Sequence, residues 1–145
     1  MKRRDFLGAA VFVAPVVFLP ARPAVAQLPG GIDELVRELG FALELPLNQA
    51  IGGAGALLNI ARERLPESQF AEVSEFLAGA ERLIQQADNV VKAALPKSMD
   101  GMATVMAEFG LPVESTNMFR DFITKYLRSR GGRKIVGLLE RAWQT

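Results

Sequence analysis

Side chains able to do chemistry are scarce in this sequence, and the scarcity narrows the function. Among 145 residues there is no histidine and no cysteine. This removes together the usual acid or base near neutrality, the thiol nucleophile, the disulfide and nearly every zinc or iron site. Carboxylates remain for acid–base work. Glu63, Glu67, Glu72, Glu75 and Glu81 are close in sequence, but Arg62, Arg64 and Arg82 interleave with them. They read as solvated helix faces rather than as an acid and a base with separated pKa values. Met99, Met102 and Met106, with Met118 further on, could offer thioethers to Cu(I), yet methionine at helical spacing is more simply core filler. Gly52, Gly53 and Gly55 invite a nucleotide reading. A dinucleotide fingerprint starting at Gly53 would need glycine at Leu58 and a preceding strand, and no Gly-Lys-Ser or Gly-Lys-Thr occurs anywhere. The expectation is a protein that is not an enzyme and takes no cofactor, metal or nucleotide.

Basic side chains form the other candidate group. Arg120, Lys125, Arg128, Arg130, Arg133, Lys134 and Arg141 face only Asp121 and Glu140 over residues 120–141, an excess of five positive charges. From Asp33 to Asp88 ten acids stand against four arginines, an excess of six negative charges. This polarity is the most functional-looking property of the surface, and it predicts that the two stretches are neighbours. The basic patch is assigned to Arg120, Lys125, Arg128, Arg130, Arg133 and Lys134.

The element that must organise the rest is Gln49 to Leu65. Ile51, Ala54, Leu58, Ala61 and Leu65 form a helical stripe, although each of the three glycines costs about 1 kcal/mol relative to alanine inside a helix. Close approach is the physical return. Gly52, Gly53, Gly55 and Ala56 are therefore expected to form a helix-packing or interface face, against which a second helix lies almost backbone to backbone. Asn48 is the expected N-cap and Pro66 closes the helix.

The other elements are also helical. Ile32, Leu35, Val36 and Leu39 make a stripe on a helix that ends by Pro46. Phe70, Val73, Leu77, Ala80 and Ile84 make another, with Gly79 a candidate break. Ser98 is the expected cap of a short helix carrying Met102, Val105, Met106 and Phe109, which Gly110-Leu111-Pro112 stops. Ser115 or Thr116 is expected to cap a helix burying Phe119, Phe122, Ile123, Tyr126 and Leu127. Gly131-Gly132 ends it, and a last helix buries Ile135, Leu138, Leu139 and Ala142, with Trp143 near the terminus. No segment alternates as a strand does. The predicted fold is all-α, a single compact domain of five to seven short helices. Leu39-Gly40-Phe41 and Gly52-Gly53 resemble Phe109-Gly110-Leu111 and Gly131-Gly132, which fits either two related helical hairpins or the ordinary use of glycine to end helices.

Ahead of this domain, residues 1–26 read as a signal peptide. Met1 to Asp5 is basic, Leu7 to Leu19 is apolar, and Ala24-Val25-Ala26 offers the small residues that a signal peptidase needs. Arg3-Arg4-Asp5-Phe6-Leu7 resembles a twin-arginine export signal. The apolar run is too short, and interrupted by Pro15, to reach the ~20 residues that span a bilayer. Residues 27–31 are a linker and 32–145 the helical domain. Without the signal, thirteen bases and fifteen acids remain, near −2. The expected location is the periplasm or the medium outside a bacterial cell.

Gln49-Ala50, Gly52-Gly53, Gly55-Ala56-Leu57-Leu58 and Ala61, followed by Leu65-Pro66, Phe70, Phe109-Gly110-Leu111, Tyr126-Leu127, Gly131-Gly132 and Leu138-Leu139, resemble the VcgC/VcgE-like family of bacterial exported proteins of unknown function. The resemblance spans roughly residues 40–142 and departs at Ala78-Gly79, where the family tends to show Pro-Gly. It implies one exported helical domain and brings no catalytic residues.

Two functions fit. One is a structural or protein-interaction module of the cell envelope, burying a partner helix or a second copy of itself on the small-residue face. The alternative is a peripheral binder of an anionic membrane surface through the basic patch, with nucleic acid the weaker candidate ligand.

Overall fold

The computed structural model describes residues 31–144; the stretch expected to be a signal peptide, residues 1–26, and residues 27–30 of the expected linker lie outside them. Among the described residues seven α-helices follow one another: α1 (Ile32–Leu43), α2 (Leu47–Arg64), α3 (Glu67–Phe76), α4 (Ala80–Val90), α5 (Met102–Glu108), α6 (Ser115–Ser129) and α7 (Arg133–Ala142). A 3-10 turn, Met99–Gly101, leads into α5, and no strand occurs among the described residues.

Helix α2 is the axis, and each of the other six packs against it. Every residue from Gly52 to Ala61 is buried. The one-sided stripe expected from the sequence is therefore corrected: this helix is enclosed all round, as an element apolar or small on every face must be. Ile51, placed on the stripe, is only half-buried, whereas Ala50 is fully buried. The one polar side chain in the enclosed run, Asn59, is satisfied twice. Its Nδ2 donates to the Pro96 carbonyl at 2.9 Å and its Oδ1 accepts from Arg62 Nη2 at 2.7 Å. This matters because a buried amide without partners costs about 1–3 kcal/mol.

The amphipathic helices close on this axis through their predicted faces. Leu35, Leu39, Val73, Ile84, Phe119, Ile123, Leu127 and Leu139 all enter one core, each such side chain contributing about 1.5–3 kcal/mol when fully buried. Phe122, expected inside, is only partly buried. Trp143 follows α7 into the core, and its indole N–H donates to the Leu57 carbonyl at 3.0 Å.

Helix ends explain the boundaries. α1, α5 and α6 stop alike, the amides of Leu45, Leu111 and Gly132 donating to the carbonyls of Gly40, Met106 and Leu127 at 2.8, 2.8 and 2.7 Å. Such closure needs a left-handed residue in between, supplied by Gly110, Gly131 and, at α1, Glu44. Gly40 thus lies inside α1 and is not its break, and Gly52-Gly53 lies mid-helix whereas Gly131-Gly132 joins two helices. The glycine pairs of the suspected repeat do different work.

The expected side-chain caps are also corrected. Pro46, not Asn48, stands at the N-cap of α2, where its carbonyl accepts from Gln49 and Ala50. Ser98, Ser115 and Thr116 make no cap hydrogen bond. Ser115 and Thr116 are already helical and turn inward, leaving the Thr116 hydroxyl buried without a partner.

Gly79 does break the long apolar stripe. It adopts φ +92, left-handed, a conformation glycine takes at no steric cost. The corner presents the Ala78 carbonyl, which accepts from the first amide of α1, Ile32, at 3.0 Å.

Candidate functional site

The small-residue face is filled by the chain itself. At Gly55 an added Cβ would overlap the Ala87 methyl and lie 2.9 Å from the Leu83 carbonyl oxygen, so α4 comes almost to backbone contact there. At Gly52 and Gly53 the occupant is an aromatic ring and not a backbone: Phe109 with Val91 over the first, Phe119 over the second. With Ala56 fully buried as well, this face is core and offers no room for a partner helix.

Four of the six basic-patch residues, Arg120, Arg128, Arg130 and Lys134, are engaged within the molecule. The Arg120 guanidinium is half-buried, 5.9 Å from the centre of the Trp143 ring. Arg128 pairs with Glu140 at 3.5 Å, and Lys134 with Glu72 at 2.7 Å. Arg130 reaches α1, donating to Glu34 at 2.9 Å with Glu38 at 3.5 Å, and lies 4.5 Å above the Tyr126 ring. Lys125 and Arg133 are exposed and form no ion pair among the described residues. The acidic and basic stretches are thus neighbours within one molecule.

Glu34, Tyr126 and Arg130 form a clasp between α1 and α6. The Tyr126 hydroxyl donates to Glu34 Oε1 at 2.7 Å. That bond, and then the Arg130 guanidinium, holds the Glu34 carboxyl below its ordinary range. Burial, reinforced by the carboxylate acceptor, pushes the Tyr126 hydroxyl up to about 12. All three groups are held in one charge state across the neutral range, which suits a fastener rather than a proton donor or acceptor.

A groove of about 790 Å³ lies where the end of α2, the outer face of α3 and the start of α4 meet. Leu65, Phe70 and Ala71 give it an apolar floor. Its rim carries Glu63, Glu67, Glu75 and Glu81, and its single cation, Arg62, donates to Glu81 at 2.9 Å. Glu63, Glu67 and Glu75 form no ion pair among the described residues. The sequence places these carboxylates on solvated faces, and exposed they are. Their convergence is visible only once α3 folds back beside α2, although the i, i+4, i+8 spacing of Glu67, Ala71 and Glu75 already aligns them on one face.

Of the four methionines weighed as copper ligands, Met102 and Met106 lie in the core with Met99 packed against it, and Met118 is exposed. No group of three or more carboxylates among the described residues could hold a metal ion, and no helix among them is long and apolar enough to cross a membrane.

A protein-family model described as "Protein of unknown function VcgC/VcgE" matches residues 20–143. Searches of curated proteins and of solved structures find no match to the chain.

Proposed function

This chain belongs to the VcgC/VcgE family of proteins of unknown function, and we propose that it works outside the bacterial cytoplasm as a non-enzymatic helical module that docks a partner protein. The groove at the α2–α3–α4 junction carries this reading. It lies in the volume range of binding clefts, about 300–1,000 Å³, and carboxylates without ion-pair partners meet apolar surface there. Docking on the glycine face is set aside, because the chain's own rings and α4 occupy it. Binding of an anionic membrane through the basic patch is the weaker reading, with Arg128, Arg130 and Lys134 already paired internally.

The absence of cysteine makes the test specific. A photo-crosslinker attached at Ser74→Cys, inside the groove, is expected to capture a discrete partner in envelope extracts, whereas the same label at Asn117→Cys on α6 captures none. Equal capture from both positions, or none from either, overturns the reading. Co-sedimentation with phosphatidylglycerol vesicles at low salt would instead favour the membrane alternative. Export is checked by intact mass, the expected mature species beginning at Gln27.

A further inference from the structure

Resting on the docking reading, we infer that the groove takes a cationic amphipathic segment of its partner, a short stretch with Lys or Arg flanking small apolar side chains. Charge complementarity carries the inference. Arg62 is neutralised by Glu81, so the rim presents Glu63, Glu67 and Glu75 without an ion-pair partner; Glu75 also borders the neighbouring concavity that holds Lys134, whose charge is already taken by Glu72.

The distribution of that charge selects the ligand. The carboxylates do not converge on a point that could hold a metal ion. Glu67 and Glu75 lie eight residues apart on α3, roughly 12 Å along its axis, with Ala71 between them on the same face. A ligand that satisfies this row carries separated positive charges at a similar spacing, as Lys or Arg two turns apart on a helix do. The apolar floor is narrow, since Leu65 and Phe70 show little of their surface. Recognition is therefore chiefly electrostatic, modest in affinity and weakened by salt.

The experiment uses the purified protein and two synthetic amphipathic peptides with the same alanine face, one flanked by lysines and the other by glutamates, followed by fluorescence anisotropy. The lysine peptide is expected to bind and the glutamate peptide not. Glu63→Gln with Glu75→Gln should weaken the lysine peptide about tenfold, roughly threefold for each exposed carboxylate. Glu114→Gln, an exposed acid outside the groove, should leave binding unchanged, and circular dichroism verifies that all variants fold. Equal binding of both peptides, or native affinity in the double variant, overturns the inference. If the Ser74→Cys label still captures a partner after such a result, the docking reading stands and only the chemistry assigned to the partner falls; if capture fails too, both fall.

Discussion

Gly53 and Gly55 illustrate how one atom can decide packing. Propensity alone predicts a gain of about 1 kcal/mol from Gly→Ala in a helix. At Gly53 the new methyl meets Phe119, which is completely enclosed, and at Gly55 it meets Ala87 and the Leu83 carbonyl. Overpacking of this kind typically costs about 1–3 kcal/mol, so both variants should melt at lower temperature than the native protein. At Gly52 the obstacle is the tip of the half-buried Phe109 ring, which can swing outward, and the same change should be nearly neutral. Ala87→Gly should recover part of the Gly55→Ala loss; equal stability of all three alanine variants would contradict this ranking. Tyr126 and Glu34 make a second case, read through pH. Glu34 is lowered from its ordinary 4.5, so its contribution is present above that value and is lost as pH falls through the depressed one. Tyr126 is raised to about 12, so its contribution is complete below 10 and is lost as pH rises through 12. Tyr126→Phe should cost about 1 kcal/mol at neutral pH, and the difference should shrink above pH 10 in urea titrations. Glu34→Gln should cost a similar amount, discounted for its partial exposure, with the difference shrinking in acid. A pH-independent gap would mean that the two side chains contribute by packing alone.

Among the elements, the corner at Gly79 fixes where α1 begins. A side chain there would be strained by φ +92 and would sit 3.0 Å from Ile32 Cγ2. Gly79→Ala should therefore destabilise by about 1–2 kcal/mol and loosen α1 first, seen as earlier proteolysis after Arg37 than in the native protein. Unchanged protection of α1 would show that the clasp to α6 holds it alone. This corner was legible in the sequence, because a glycine interrupting an apolar stripe has few other uses. The stops at Gly110 and Gly131 were legible for the same reason. The starts of α2 and α6 were not: Asn, Ser and Thr are favoured caps, but Pro46 already supplies a carbonyl and a fixed φ, and the inward side of α6 claims Ser115 and Thr116. The groove was hidden because it belongs to no single element. Glu63 comes from α2, Glu67 and Glu75 from α3 and Glu81 from α4, and periodicity within one helix says nothing about the angle between two.

For the molecule as a whole, the ties that matter are distant in sequence. Tyr126 and Arg130 fasten to Glu34 across 92 and 96 residues, and Trp143 reaches Leu57 across 86. The opposed charges of the two stretches, visible in the sequence, orient α6 on α1, while the rings of Phe109 and Phe119 over the glycines were not foreseeable from spacing. α2 sits at the centre of this arrangement. Its glycines cost about 3 kcal/mol of helix propensity, so the segment is a poor helix on its own and holds its shape because six others surround it. The order of stability is thereby inverted with respect to local preference. In native-state hydrogen exchange, the amides from Gly53 to Ala61 should be the slowest in the protein and open only when the whole molecule unfolds, whereas α7, with a stronger amphipathic pattern of its own, should exchange through smaller openings. The least autonomous segment of the chain would then set the clock for all the others.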